Sequence, residues 1–183
     1  MGCGKSTVGC RLAKMLDRTF LDTDAWIEER EGTTISEIFE SKGETYFRDM
    51  ETECLQVLLE ENDLSQDLIN NERSEHSEVC LNGNGGYVIS VGGGLPIREE
   101  NQRLLQQLGQ VIYLKAKPDT IYERLKGDTT RPLLQTENPL QRIKEMIVTR
   151  EEKYQVAAHR VILVDGKSVS EIVNEISDAI CKM

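Results

Sequence analysis

Met1-Gly2-Cys3-Gly4-Lys5-Ser6-Thr7 opens the chain, and it reads as the closing part of a phosphate-binding loop. The full pattern is G-x-x-x-x-G-K-[ST]; Gly4, Lys5 and Ser6 supply its end, and its first glycine falls upstream of Met1. Such a loop wraps consecutive backbone N–H groups around phosphates at a helix N-terminus, where the helix dipole favours anions. Gly2 and Gly4 let backbone approach the ligand, Lys5 neutralises charge, and the Ser6 hydroxyl suits Mg²⁺. Val8, Leu12, Met15 and Leu16 then fall on one helical face, so the loop runs into a helix as a phosphate site requires. The bland alternative is a start rich in Gly, Lys and Ser by chance.

Composition narrows the rest. A chain of 183 residues is expected to form one domain with a sizeable core. Its net charge of −10 argues against a general nucleic-acid or anionic-membrane binder. No apolar run reaches the ~18 residues of a membrane span, and no leader precedes the first motif, which predicts a cytoplasmic protein. Cys3, Cys10, Cys54, Cys80 and Cys181 are odd in number and lack C-x-x-C spacing, so they read as free thiols in a reducing compartment. Cys3 reads as a small filler within the loop.

Helical stretches alternate with short apolar runs, the pattern of a parallel α/β sheet. Strands are expected at Thr19–Leu21, Tyr87–Val91, Val111–Leu114 and Val161–Val164. Thr34-x-x-Glu37 and Ser168-x-x-Glu171 are capping boxes, and Pro118 opens another helix. A long helix is expected after Gly43, ending near Leu59. Asn62–Gly86 is polar and rich in Asn and Ser, and reads as a surface loop inserted into the domain. His76 and His159 have no partners in the pattern that would make them ligands.

Four further groups carry chemistry. Asp22-Thr23-Asp24 follows a strand, and residues two apart in a strand share a face, so both carboxylates can enter one crevice. One acid can serve Mg²⁺ and the other can take a proton from a substrate hydroxyl; the alternative is an N-cap by Asp24. In Phe47-Arg48-Asp49-Met50-Glu51, Arg48 can clamp a carboxylate while Glu51, one turn on, holds it in place. An exposed helix ion pair is the competing reading. Gly92-Gly93-Gly94 directly after a strand removes side chains where a ligand must lie on backbone, or else forms a plain turn. Finally, Arg124–Leu134 (RLKGDTTRPLL), with Arg150 beyond, reads as a lid over about 124–138 whose Arg131 closes on the phosphates, or as surface charge.

Together, the G-C-G-K-S-T loop, L-D-T-D, the I-F…F-R-x-x-E helix, V-G-G-G, R-P-L-L and R-E-E-K-Y resemble the shikimate kinase family, within the nucleoside-monophosphate-kinase-like P-loop fold. The resemblance spans residues 1–183 as a single domain apart from the 62–86 segment. It implies a parallel five-stranded sheet with helices on both faces. It implies ATP phosphates on Gly2, Cys3, Gly4, Lys5, Ser6 and Thr7, and Mg²⁺ served by Ser6 and Asp22. Lys5, Asp24 and Arg131 would be catalytic, with Asp24 on the reacting hydroxyl of shikimate. Arg48 and Arg150 would grip the shikimate carboxylate, and Gly93 and Gly94 its ring and hydroxyls. Phe39 and Phe47 would wall the pocket. Arg131 would act from the lid, with Arg124 and the Asp165–Ser168 loop near the adenine. The implied reaction makes shikimate 3-phosphate and ADP, by a monomer with ATP and shikimate as its partners.

The resemblance also implies a strand ahead of the loop, the central one of the five. Met1 matches a methionine common just before G-x-G-K-S-T, which reads as an internal Met taken as the start. A chain lacking that strand is expected to fold poorly or act weakly, because its loss outweighs the ~5–15 kcal/mol stability of a typical domain. The rival readings are a gluconate-type or nucleotide kinase, which does not call for R-P-L-L, V-G-G-G and F-R-x-x-E together, and a non-catalytic shikimate-kinase-like binding protein. The latter would be expected to lose Lys5, Asp24 or an arginine, and all are present.

Overall fold

The four apolar runs form strands within about a residue of their expected bounds. They are β1 (Thr19–Asp22), β2 (Tyr87–Ser90), β3 (Ile112–Lys115) and β4 (Arg160–Leu163). The structure is a computed structural model that describes residues 2–71, 86–126 and 138–181. Its helices are α1 (Lys5–Leu16), α2 (Thr23–Glu31), α3 (Ile35–Ser41), α4 (Gly43–Asn71), α5 (Glu99–Leu108), α6 (Pro118–Leu125), α7 (Pro139–Ala157) and α8 (Val169–Cys181), with a 3-10 turn at Leu95–Ile97. Among the described residues the strands form two parallel pairs, where the sequence predicts one sheet of five with its first strand absent. β1 runs beside β2 with Thr19 opposite Tyr87 and Asp22 opposite Ser90. β3 runs beside β4 with Ile112 opposite Arg160 and Lys115 opposite Leu163. Parallel pairing needs long crossovers; α2, α3 and α4 provide the first, α6 and α7 the second.

Two compact units hold these pairs: Gly9–Gly109, and Met1–Val8 with Gln110–Met183. In the first, Ile27, Ile38, Phe47 and Met50 form a buried cluster, with Trp26, Ile35 and Tyr46 packed against it. In the second, Ile162 and Val164 bury one face of the β4 segment while Val161 and Leu163 remain exposed on the other. Ile172, Val173 and Ile176 of α8 are buried, and their i, i+1, i+4 spacing gives the helix one apolar face.

The segment after Leu59 differs from expectation. Residues 62–71 continue α4 as helix instead of starting a surface loop. No Gly or Pro interrupts residues 44–81, so nothing in the chain stops the helix there, and polar composition is as compatible with a solvated helix as with a loop. The remainder of that segment, residues 72–85, lies outside the described residues. Helices α5 and α7 lie where the sequence analysis places no element, although Leu104, Leu105 and Leu108 give α5 the same i, i+1, i+4 apolar spacing as α8.

Both capping boxes form as expected. The Glu37 N–H donates to the Thr34 hydroxyl at 3.3 Å, while Glu37 accepts from the Thr34 N–H at 2.9 Å. The Ser168–Glu171 pair repeats the arrangement ahead of α8. At Glu37, the Thr33 hydroxyl foremost, then the N–H and hydroxyl of Thr34, hold the carboxyl down at about 2. A depressed carboxyl stabilises the fold above its unfolded value, and that contribution is lost as pH falls through the folded one. An NMR titration of Glu37 should therefore show a midpoint near 2, moving upward in Thr33→Val. An ordinary midpoint in the intact chain would contradict the geometry.

Candidate functional site

The phosphate-loop residues sit at the start of α1 in the unit that also holds β3, β4 and α6. Gly2 and Gly4 adopt φ of +64° and +80°, a left-handed conformation that favours glycine. At Gly4 a Cβ would meet only open space, with Arg124 Nη1 at 4.0 Å, so its backbone conformation alone calls for glycine. At Gly2 the space is also closed: a Cβ would lie 3.0 Å from Leu125 Cδ1 and 3.1 Å from Ile121 Cγ2. Thus α6 packs directly beneath the loop, and Arg124 Nη1 donates to the Gly2 carbonyl at 3.5 Å. Cys3 is buried, as a filler should be. Lys5, Ser6 and Thr7 form the first turn of α1, which contains no acidic residue to compete for its positive end.

The L-D-T-D and V-G-G-G motifs come together in the Gly9–Gly109 unit. Asp22 ends β1 and caps α2, accepting from the Asp24 N–H at 3.1 Å. Asp24 is therefore in the first turn of a helix. It is neither the N-cap nor a strand residue sharing a face with Asp22, because the chain turns helical at Thr23. Between them, the buried Thr23 hydroxyl accepts from the Gly92 N–H at 3.0 Å and pins the glycine run to the motif. A Cβ on Gly92 would fall 2.7 Å from Asp24 Oδ1 and 2.8 Å from Glu51 Oε1. Two carboxylates thus border this one glycine.

Arg48 lies alongside. Its Nη1 donates to Glu51 Oε2 and its Nη2 to Glu44 Oε1, each at 2.8 Å. Its guanidinium presses so closely on Gly94 that any side chain there would collide with it. The Arg48–Glu51 contact is not an exposed ion pair: the Glu51 side chain is 0% exposed and that of Arg48 17%. Among the described residues, Glu51 Oε1 is the one buried side-chain oxygen or nitrogen with no hydrogen-bond partner. Burial pushes the Glu51 carboxyl up against the pull of Arg48, and the nearby Asp24 charge adds to the rise. Phe47 is buried and Phe39 partly exposed, with ring centroids 4.9 Å apart.

Beneath the glycine run lies support that the motifs did not reveal. The Thr52 hydroxyl donates to Asn101 Oδ1 at 2.9 Å, and Asn101 Nδ2 donates to the Leu95 carbonyl at 3.0 Å. Arg98 bonds Asp49 at 2.7 Å. A lone Thr and a lone Asn on helices carry no sequence signal. Thr23 and Gly92, inside motifs, did. Arg150 lies half-buried on α7, beside the Glu151 that pairs with Lys115. Gly93 is half-buried between Gly92 and Gly94. Arg131 and most of the expected lid, residues 127–137, lie outside the described residues.

A core built of α/β pairs, a phosphate loop and an arginine held beside two carboxylates define the chain as a kinase-like α/β protein. A family model described as shikimate kinase matches residues 1–67 and 70–181. The shikimate kinase of Ralstonia nicotianae is 39% identical over 174 residues, covering 95% of this chain and 80% of the relative. That of Persephonella marina is 40% identical over 176 residues, covering 96% and 92%. The solved shikimate kinase of Acinetobacter baumannii, in complex with shikimate, matches at a TM-score of 0.82 with 33% identity, over 100% of this chain and 89% of that one. The Bacteroides thetaiotaomicron shikimate kinase structure matches at 0.77 with 26% identity, over 98% and 93%. The chain belongs to the shikimate kinase family and is an ATP-dependent kinase of that family.

Removing the buried Thr23 hydroxyl leaves the Gly92 N–H without its acceptor. Thr23→Val should lower unfolding stability by about 1–3 kcal/mol, read from urea denaturation. An unchanged midpoint would show that the hydroxyl does not tie the two motifs.

Proposed function

We propose that the chain transfers the γ-phosphoryl group of ATP to the 3-hydroxyl of shikimate, giving shikimate 3-phosphate and ADP. The observation that carries this reading is the Arg48 guanidinium, fixed by Glu51 and Glu44 and seated on Gly94 in the same unit as Asp24. A planar guanidinium held at both ends is suited to a carboxylate, and an adjacent carboxylate is suited to a hydroxyl. The relatives named shikimate kinase, one of them solved with shikimate, support the choice of substrate.

In this reading Arg48 and Arg150 bind the substrate carboxylate, and Asp24 accepts the hydroxyl proton as the oxygen attacks the γ-phosphorus. The bond from that phosphorus to the β,γ-bridging oxygen breaks, and ADP leaves with the electron pair. Gly93 and Gly94 bring backbone against the sugar-like ring. Gly2–Thr7 hold the phosphates, Lys5 offsets their charge, and Arg131 adds a second cation. Catalysis of this kind rests on positioning and charge neutralisation.

The donor set suits magnesium. Ser6 and Asp22 offer hard oxygen ligands, and the described residues contain no cluster of three or more acidic, His or Cys side chains that would form a protein-only metal cage. An ion that shares its coordination with ATP and water needs no such cage. Bound there, Mg²⁺ would neutralise charge on the phosphates. The single-domain organisation and action as a monomer belong to the same proposal.

Shikimate-dependent ADP release with Mg-ATP tests it. Asp24→Asn should lower kcat by about 10²-fold or more, and Arg48→Lys should raise the shikimate KM about tenfold while leaving the ATP KM near its original value. Turnover of gluconate or a nucleoside monophosphate in place of shikimate would overturn the assignment.

A further inference from the structure

Arg48 is held by two carboxylates that differ in their access to water. The side chain of Glu51, three residues on, has no exposed surface, whereas that of Glu44, four residues before, is 67% exposed. Glu44 stands in the first turn of α4, directly after Gly43, which opens the helix with φ +84°. An acid there is favoured by the helix dipole whether or not it touches Arg48. Glu51 cannot leave the arginine without stranding a buried charge. Glu44 can turn into water.

The two acids also take different edges of the guanidinium. Nη1 donates to Glu51 Oε2 at 2.8 Å. The backbone of Gly94 closes on the same end, where a Cβ would fall 2.1 Å from Nη1 and 2.5 Å from Cζ. The centroid of the Phe47 ring lies 5.3 Å from Cζ. The side edge remains, formed by Nε–H and Nη2–H, a pair of parallel donors that matches a carboxylate. Glu44 covers it with a single oxygen: Oε1 accepts from Nη2 at 2.8 Å and from Nε at 3.3 Å. One oxygen shared by two donors uses the fork less fully than two oxygens in register.

We propose that Glu44 is a self-inhibitory place-holder: it occupies the carboxylate edge of Arg48 until the carboxylate of the acceptor substrate displaces it. This role rests on the reading of Arg48 as the clamp for that carboxylate. On displacement Glu44 turns to solvent, and the arginine still has two carboxylate partners, so no buried charge is left unpaired. The exchange is easy because an exposed i, i+4 ion pair is weak. Glu44 therefore competes with every carboxylate that approaches Arg48. Anions that offer a carboxylate and little else are kept out, while a ligand with further contacts through its hydroxyls is admitted at a small loss of affinity.

The test compares Glu44→Ala and Glu44→Gln with the unaltered chain, with shikimate and ADP dissociation constants measured separately by calorimetry. Glu44→Ala should tighten shikimate binding about two- to fivefold, the range of an exposed ion pair, and leave ADP affinity as it was. Glu44→Gln keeps a neutral acceptor and should fall between. The sign separates the possible roles. A residue that only positions Arg48 would weaken shikimate binding when removed, and general destabilisation would weaken both ligands. Shikimate affinity unchanged or lowered in Glu44→Ala would overturn the proposal. If the unaltered chain binds ADP but not shikimate, the substrate assignment fails, and a titration with sodium acetate then decides the role of Glu44. The NMR signal of the Arg48 Nε–H should shift at lower acetate concentration in Glu44→Ala than in the unaltered chain; equal midpoints would overturn the place-holder.

Discussion

Glu51 has no exposed surface, yet it carries a carboxylate, and much of the Gly9–Gly109 unit is arranged around that burden. Removing a carboxylate from water costs several kcal/mol, and a paired guanidinium offsets this only when the geometry is good. Here Arg48 satisfies Oε2, while Oε1 faces Gly92 without a partner. Breaking such a pair by deleting one member typically costs about 3–5 kcal/mol, because the other charge stays buried. The pair is a weak source of net stability but a strong constraint on position. Arg48 cannot swing away without stranding Glu51.

That constraint explains the glycines. Gly92 has no room for a Cβ between Asp24 and Glu51, and Gly94 has none against Arg48. The Thr23 hydroxyl then locks Gly92, and Asn101 reaches up from α5 to hold the Leu95 carbonyl just beyond the run. Three motifs far apart in the chain thus share one small volume, and a change in any of them is felt by the others. Magnitudes favour this view over an exposed ion pair: surface pairs contribute about 0–1 kcal/mol and tolerate substitution, whereas a fully buried carboxylate does not.

Much of this was legible in the sequence where local chemistry decides structure. The strands announced themselves as short apolar runs, and Thr34-x-x-Glu37 and Ser168-x-x-Glu171 capped their helices as written. The pairing of Arg48 with Glu51 followed from helical spacing, but its burial did not, since nothing in F-R-D-M-E tells which face the protein covers. The offset of Asp22 from Asp24 was misjudged because one residue, Thr23, turns the chain from strand to helix, and strand periodicity ends there. The length of α4 is not legible in composition, because a polar run suits a solvated helix as well as a loop, although residues 44–71 contain no Gly or Pro to break the helix. Thr52 and Asn101 were invisible for a different reason: their contact joins residues 49 apart in the chain, and single polar residues have no pattern.

The most direct test of this account is the affinity for shikimate of Glu51→Gln, followed through the fluorescence of Trp26, the sole tryptophan, which packs against the buried cluster two residues along the chain from Asp24. The amide keeps the shape of the side chain and one carbonyl acceptor but removes the charge, so the buried ion pair that fixes Arg48 is reduced to a neutral hydrogen bond. The account predicts shikimate binding weakened about tenfold or more, with ADP affinity unchanged, since a hydrogen bond to a charged group is worth roughly 1.5–3 kcal/mol. Shikimate affinity equal to that of the unaltered chain would contradict it, and would mean that Arg48 holds its position without the buried carboxylate.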